Sequence, residues 1–340
     1  MKEAFFYKKE KEEVICFLCN HRCRIKEEKL GICGVRKNLG GILYSLNYGK
    51  IVSTHIDPIE KKPFFHFFSS SKAYSVASVG CNFKCGFCQN WQISQVEEAK
   101  RLGIEGFEIS AQAIVEEAIR NNCKSISYTY TEPTIYFEFA FQTSQLAKEK
   151  GLYNNFVTNG YMSKEALEYI SPYLDAANVD LKSFREDFYR KICKASLKPV
   201  LDNIILMKKL NIWVEITTLV IPGLNDKEEE LKEIARFISS LDKNIPWHIS
   251  RFHPDYKFLN FSSTPLSTLK RAYEIAKEKG LKFVYIGNIY TPYGENTYCP
   301  KCDKLLIKRV SFFVEEVNIT KGRCNFCQEK IAGVFEDEGG

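Results

Sequence analysis

The chain has 340 residues, of which 45% are hydrophobic and 26% are charged, so it is globular rather than disordered or fibrous. Its formal net charge is +6, the small difference between 48 basic and 42 acidic residues, and this excess does not by itself indicate a nucleic-acid partner. No apolar run is long enough to span a bilayer, and the opening MKEAFFYKKEKEE turns charged at once, so we expect a cytoplasmic protein without membrane contact.

The composition is unusual in its 13 cysteines. All but Cys123 and Cys193 fall into three groups with the spacings of metal ligands. Such grouping is typical of a reducing compartment rather than of a disulfide-linked secreted protein. We expect Cys123 and Cys193 to be buried as small hydrophobic side chains.

The first cysteine group lies in a predicted N-terminal metal-binding module, residues 1–50. Its members are Cys16, Cys19, Cys23 and Cys33, with His21 as an alternative ligand. Four thiolates suit a single metal ion such as zinc, and they equally suit an auxiliary iron–sulfur cluster. The spacing leaves both open.

Residues 51–72 are predicted to connect this module to the next domain. The segment HIDPIEKKPFFHF mixes acidic, basic and aromatic side chains. One interpretation is a lid over the site, and the other is a packed connector whose phenylalanines join the N-terminal module to the following domain. We favour the connector.

The second cysteine group follows a predicted strand, 73–79, and contains only three members, Cys81, Cys85 and Cys88. A closed structural metal site needs four ligands. Three thiolates on a [4Fe–4S] cluster leave one iron open to a small molecule. The motif also stands at the carboxyl end of a strand, where α/β barrels place their chemistry.

Strand-like and helix-like segments then alternate over residues 73–290. The strands are predicted at 73–79, 126–130, 155–158, 177–181, 213–220, 248–252 and 283–286, and the helices at 112–121, 135–149, 164–169, 200–210, 227–241 and 267–279. This alternation predicts six or so βα units around a parallel sheet.

Polar side chains stand at the ends of these strands, where the carboxyl edge of a parallel sheet would gather them. They are Glu132, Asn159, Asp180, Lys182 and His248. Asp180 and Lys182 are two residues apart and therefore point to the same side of a strand. Each group also has a plainer interpretation: Glu132 as a charge at a helix start, Asn159 as a turn residue, and Asp180 with Lys182 as a simple ion pair.

The third cysteine group lies in a predicted C-terminal module, residues 291–340. It consists of two C-x-x-C pairs, Cys299 with Cys302 and Cys324 with Cys327, separated by a β-rich segment over 305–317. This spacing is typical of a four-thiolate zinc ribbon, a closed and therefore structural site. A single iron with the same ligands is the alternative.

The C-x-x-x-C-x-x-C motif, with an aromatic residue at Phe87, resembles the signature of the radical S-adenosylmethionine enzymes. The resemblance implies an incomplete (β/α)6 TIM-like barrel, a [4Fe–4S] cluster on the three cysteines, and S-adenosylmethionine on its open iron. An electron from the cluster then cleaves the sulfonium, and the resulting radical abstracts hydrogen from a substrate. The resemblance does not single out a catalytic side chain.

Further segments resemble glycyl-radical activating enzymes such as the pyruvate formate-lyase activase. They imply that Glu132, Asn159, Asp180, Lys182 and His248 bind or adjoin S-adenosylmethionine. Two departures stand out: the glycines that precede this Glu in relatives are Tyr130 and Thr131 here, and the Asp expected two residues before Asn159 is Val157.

Over nearly its full length the chain is similar to the radical S-adenosylmethionine protein of the AmmeMemoRadiSam system. Segments that carry this similarity include GICGVRKN, HIDPIEKKPFFHF, VGCNFKCGFCQNWQIS, FVTNGYMS, AANVDLKSF and PWHISRFHPDY. The similarity implies AMMECR-type and Memo-type partner proteins and an external electron donor, and it leaves the substrate open.

Three functions follow as alternatives: activation of a protein partner, modification of a small molecule or an RNA base, and a non-catalytic metal-binding scaffold. The intact three-cysteine motif argues against the scaffold, and no basic aromatic-interleaved stripe favours RNA.

Overall fold

The structure is a computed structural model, and it describes residues 1–291 and 293–335. Six short strands build the N-terminal module: β1 Lys2–Glu3, β2 Tyr7–Glu10, β3 Glu13–Cys16, β4 Arg24–Ile25, β5 Arg36–Leu39 and β6 Ile42–Ser45. Strands β2, β3 and β4 form one antiparallel sheet, and β1, β6 and β5 form another. The four N-terminal cysteines stand at the end of β3 and in the loops on either side of β4.

The chain then enters the central sheet on its antiparallel edge. Strand β7, Lys50–Pro58, pairs with β8, Lys72–Ser78, and the short β9, Phe107–Glu108, pairs with the other side of β7. The first part of the segment predicted as a connector, residues 51–58, therefore belongs to a sheet strand. Since β7 covers the open edge of β8, that edge is not left to pair with another chain.

The remaining strands of the central sheet are parallel, as predicted. They are β10 Ser125–Tyr128, β11 Tyr153–Thr158, β12 Ala176–Asp180, β13 Trp213–Val220, β14 Trp247–Arg251 and β15 Val284–Gly287. They neighbour one another in chain order, starting from β8. Each lies within three residues of its predicted position, which confirms the incomplete (β/α)6 barrel.

Helices connect the parallel strands. They are α1 Trp91–Ser94, α2 Val96–Arg101, α3 Ala111–Arg120, α4 Phe137–Glu149, α5 Lys164–Ile170, α6 Glu186–Phe188, α7 Leu197–Lys209, α8 Glu228–Leu241 and α9 Leu266–Glu278. The buried side chains of α8 include Leu231, Ile234 and Ile238, a spacing of three and four that forms one apolar face. Within the described chain, no helix has the length and apolar character needed to cross a membrane.

Phenylalanines after β7 close the lower end of the barrel. Phe64, Phe67 and Phe68 are buried together with Ala73 and Ala176, which stand at the starts of β8 and β12. Parallel strands start at the same edge of a sheet, so this segment lies opposite the edge that holds the cysteine loop. It is neither a lid over the barrel mouth nor a link to the N-terminal module, and we call residues 59–68 the floor segment.

The C-terminal module is antiparallel. Its strands are β16 Thr297–Tyr298, β17 Leu305–Val310, β18 Phe313–Val317, β19 Ile319–Thr320 and β20 Arg323–Cys324. Arg309 on β17 is buried and joins this module to the floor segment, since its Nη2 donates to the Phe65 carbonyl oxygen at 2.9 Å. Its guanidinium also lies 4.1 Å from the centre of the Phe65 ring, a favourable cation–π distance.

Candidate active site

A cavity of about 350 Å³ occupies the barrel between the cysteine loop and the floor segment. All eight residues predicted for cluster and cofactor binding in this region line it: Cys81, Cys85, Cys88, Glu132, Asn159, Asp180, Lys182 and His248. The strands bring together side chains that are up to 167 residues apart in the sequence, from Cys81 to His248. The fold thus gathers every one of these predicted residues in a single cavity, and their roles there remain a proposal.

Two of the three cysteine sulfurs in the cavity have hydrogen-bonding neighbours. Cys81 Sγ accepts from the Phe83 amide at 3.3 Å, and Cys88 Sγ lies 3.2 Å from Ser94 Oγ. The neighbouring thiol of Cys193, which is fully buried, and the burial of Cys85 itself raise the pKa of Cys85 well above its usual value. Burial raises the pKa of Cys81 and Cys88, so without a metal these thiols stay protonated. Three cysteines that line one cavity are nevertheless the ligand set of an iron–sulfur cluster with one open iron, and binding iron would deprotonate them.

Close packing fixes the start of the cysteine loop. Gly80 has a φ of +112°, and a Cβ there would come within 3.0 Å of Val35 Cγ1 and 3.3 Å of the Cys33 carbonyl oxygen. A side chain at position 80 would collide with the N-terminal module, so glycine is required there. On the cavity side, Asn159 Nδ2 donates to Asn82 Oδ1 at 2.7 Å, which ties the loop to the end of β11.

Glu132 is buried behind the cysteine loop and ties two strand ends together. Its carboxylate accepts from the Thr134 amide at 3.0 Å, from Thr158 Oγ1 at 2.8 Å and from the Asn159 amide at 2.8 Å. The first of these bonds caps a short 3₁₀ helix at Pro133–Tyr136, so Glu132 is also a charge at a helix start, as the plainer interpretation predicts. Burial raises the pKa of Glu132.

Asp180 and Lys182 form an ion pair on the cavity wall, with Nζ 2.8 Å from Oδ2. Burial alone lowers the pKa of Lys182, but the charges of Asp180 and Cys85 raise it well above its usual value. Lys182 is therefore a permanent cation next to the cysteine loop. The plainer interpretation is confirmed, since the two side chains form an ion pair, and both residues also line the cavity.

His248 is held by an acidic residue that the sequence analysis did not single out. Glu215, fully buried on β13, accepts from His248 Nε2 at 2.6 Å and from the amides of Phe65 and His66. Burial raises the pKa of Glu215, but the hydrogen bond and the charge of His248 bring it below its usual value. A lone acid in the apolar run WVEITTLV was the available signal, since a buried carboxylate requires partners.

Lys62 is a second residue that the sequence analysis missed. Its side chain is only 1% exposed, lines the cavity floor and pairs with Asp57 Oδ2 at 2.6 Å. Tyr130 completes the group: its hydroxyl donates to the same oxygen at 2.5 Å, and its ring lies 4.1 Å below the Lys62 ammonium. Burial lowers the pKa of Lys62 to about 8.

The C-terminal cysteines form a compact group outside this cavity. The Sγ atoms of Cys299, Cys302, Cys324 and Cys327 all lie within 4.8 Å of one another. Two of the separations are 3.6 Å and 3.7 Å. A tetrahedral zinc with bonds of about 2.3 Å places its sulfurs roughly 3.8 Å apart, so the group fits zinc.

The comparisons with known proteins agree with this geometry. A family model described as the Radical SAM superfamily matches residues 75–238. An uncharacterized protein of Methanocaldococcus jannaschii is 49% identical over 97% of this chain and 99% of its own length. A protein of the same organism named a putative glycyl-radical enzyme activating enzyme is 30% identical over 61% of this chain and 78% of its own length.

The fold is also found among solved structures. A radical SAM methyltransferase from Sphaerobacter thermophilus has a TM-score of 0.51 and 15% identity, over 66% of this chain and 68% of that one. The protein belongs to the radical SAM superfamily, and its relatives include glycyl-radical enzyme activating enzymes. Membership implies radical chemistry with a [4Fe–4S] cluster and S-adenosylmethionine.

Proposed function

We propose that the protein cleaves S-adenosylmethionine reductively and abstracts a hydrogen atom from a protein partner, as an activating enzyme does. The observation that carries the proposal is the cavity that three cysteines line together with the polar residues at the ends of the parallel strands. The activating-enzyme relative supports a protein as substrate.

Cys81, Cys85 and Cys88 would hold the cluster, and S-adenosylmethionine would lie against the strand ends. When bound, the cluster supplies one electron to the sulfonium, and the carbon radical released by that cleavage takes the hydrogen atom. The chain itself contributes charge: Lys182 suits the cofactor's carboxylate and Asp180 its ammonium group. Glu132 and Asn159 hold the cysteine loop against the ends of β10 and β11.

Glu215 is proposed as a positioning residue for His248. The carboxylate holds the imidazole through Nε2, and the ring stacks on Tyr285 at 5.2 Å between ring centres. A ring held on two sides presents a fixed edge to the cavity. Such a side chain can orient a bound substrate without first having to lose its own conformational entropy.

The test measures 5′-deoxyadenosine by mass spectrometry after anaerobic reconstitution with iron, sulfide, dithionite and S-adenosylmethionine. We expect product from the wild-type protein and none from Cys85→Ala. Cys123→Ala is the matched control, because it removes a buried thiol that does not line the cavity and should leave the product unchanged. A fully loaded wild-type cluster without product, with or without partner proteins, would refute the proposal.

The partner is tested by deuterium transfer. AMMECR-type and Memo-type proteins, the candidates that the sequence suggests, would be expressed with deuterated glycine and added to the reaction. Deuterium in 5′-deoxyadenosine identifies the protein that donates hydrogen. Transfer from neither protein would remove both as direct substrates.

A second candidate function is the modification of a small anionic molecule. The observation that favours it is Lys62, a cation on the floor of the cavity. In this case deuterium would come from a small-molecule extract rather than from protein, and Lys62→Met would raise KM for that molecule.

We further propose that Cys299, Cys302, Cys324 and Cys327 bind a structural zinc ion. Metal analysis should find about one zinc per chain, and Cys324→Ala should abolish it and lower the melting temperature. Because Arg309 joins this module to Phe65 below the cavity, we also expect loss of zinc to weaken catalysis indirectly. A Cys324→Ala variant that keeps its zinc and its stability would contradict the assignment.

A further inference from the structure

A second group of cysteines encloses a small cavity in the N-terminal module. Cys16, Cys19, Cys23 and Cys33 line this cavity together with apolar side chains and Arg36. Cys16 and Cys33 are buried, and Cys19 and Cys23 are partly buried. Four free cysteines that line one enclosed cavity indicate a metal site.

A single zinc ion and a [4Fe–4S] cluster require different spacings of these four sulfurs. Within the described residues, the C-terminal four form a group close enough together to hold one metal ion, and the N-terminal four do not form such a group. A single zinc draws its sulfurs to roughly 3.8 Å. The ligands of a [4Fe–4S] cluster bind four separate irons, so their sulfurs stand further apart than those around one zinc ion.

The charge next to the cavity suits an anionic cluster. Arg36 is fully buried, and its Nη1 lies 3.7 Å from Cys16 Sγ. Its Nη2 pairs with Glu138, while its Nε has no hydrogen-bond partner among the described residues. Cluster sulfides accept such hydrogen bonds, so the unpaired donor is a second observation that points to a ligand in this cavity.

The N-terminal module also packs against the loop that carries Cys81. The Cys33 carbonyl oxygen lies 3.3 Å from the position of a Cβ at Gly80, which directly precedes Cys81. His21 Nε2 donates to the Asn82 carbonyl oxygen at 2.7 Å. The N-terminal module therefore contacts the cysteine loop directly, on both sides of Cys81.

We propose that Cys16, Cys19, Cys23 and Cys33 hold a second [4Fe–4S] cluster that passes electrons to the catalytic one. A low-potential one-electron donor reduces the N-terminal cluster by one electron, which then moves to the catalytic cluster and leaves the N-terminal cluster oxidised again. With four thiolate ligands this cluster has no open iron, so it carries electrons and binds no substrate. Only the electron transfer rests on the proposed function, since the metal assignment stands without it.

The first experiment removes the catalytic ligands. The full-length Cys81→Ala/Cys85→Ala/Cys88→Ala variant, reconstituted anaerobically, should retain about four irons and four sulfides per chain. A folded triple variant without iron overturns the proposal whatever its zinc content. If this variant does not fold, the number of irons bound by the wild-type chain decides, because two clusters give about eight irons and one cluster gives about four.

The complementary variant is Cys19→Ser/Cys23→Ser. It should lose the part of the electron paramagnetic resonance signal that S-adenosylmethionine does not perturb and keep the part that it perturbs. It should also lose 5′-deoxyadenosine production driven by a reduced ferredoxin-class protein while keeping production driven by dithionite. Full activity of this variant with the protein donor would refute the electron relay. If the wild-type protein forms no 5′-deoxyadenosine, the proposed function is refuted but the metal assignment is not.

Discussion

At the residue scale, the cysteine spacing predicted the cluster loop, but it could not show what surrounds each sulfur. Cys193 stands alone in the sequence, and we expected only a small buried side chain there. It is buried, and it also meets Cys85 at the cluster position. That contact joins residues 108 positions apart in the sequence, which no local pattern reports.

Cys193 should raise the reduction potential of the catalytic cluster. Once Cys85 binds iron it has no proton, so a hydrogen bond between the two sulfurs requires Cys193 as the donor, and such a bond stabilises the more negative, reduced state of the cluster. A net bond of about 0.5–1.5 kcal/mol corresponds to roughly 20–60 mV for one electron. We expect Cys193→Ala to lower the potential by this amount in a redox titration that follows the signal perturbed by S-adenosylmethionine.

Cys123→Ala is the control for that titration, since Cys123 is also small and buried but does not line the cavity. An unchanged potential in Cys193→Ala would mean that the thiol only fills space.

At the element scale, strands and helices were predictable and the floor segment was not. Strand runs such as WVEITTLV and helices such as α8 show their period directly. Residues 59–68 have no such period, because each side chain meets a different part of the molecule. Phe64 packs at the strand starts, Phe65 meets His248, and Lys62 enters the cavity.

The pair between Lys62 and Asp57 should matter to the stability of this segment. Lys62→Met leaves a buried carboxylate without its main partner, which typically costs about 3–5 kcal/mol. We expect such a loss in urea unfolding followed by tryptophan fluorescence. The matched control is Lys61→Met, whose half-exposed ammonium contacts the other oxygen of Asp57 at 2.9 Å.

The control should cost at most about 1 kcal/mol, as exposed pairs do. Equal losses in the two variants would show that burial of Lys62 adds nothing to the pair.

At the scale of the whole molecule, the junction between the barrel and the C-terminal module depends on a directed chain of hydrogen bonds. Arg309 Nη1 donates to Thr297 Oγ1 at 2.8 Å, and that hydroxyl lies 2.8 Å from the Tyr285 hydroxyl. His66 follows, with Nε2 2.6 Å from the Tyr285 hydroxyl and Nδ1 2.7 Å from the Ala332 carbonyl oxygen. Since a carbonyl only accepts, Nδ1 carries the proton and Nε2 accepts from Tyr285.

This tautomer is neutral, and burial lowers the pKa of His66 to about 4. The charge of Glu215 opposes this shift, while Arg309 and His248 add to it. An unfolded chain protonates His66 near pH 6.5, so between about pH 6.5 and 4 the unfolded state binds more protons than the folded state. Stability is therefore complete above pH 6.5 and falls as the pH drops towards 4, by roughly 3 kcal/mol from this residue alone.

His66→Gln removes this titration, and we expect its free energy of unfolding to depend less on pH over that window. The comparison of the two slopes isolates His66 from the other groups that titrate there. His55→Gln, at an exposed histidine, should keep the wild-type slope. If His66→Gln and the wild type lose the same stability between pH 6.5 and 4, then His66 accepts a proton in the folded state, and the junction tolerates a charge at its centre.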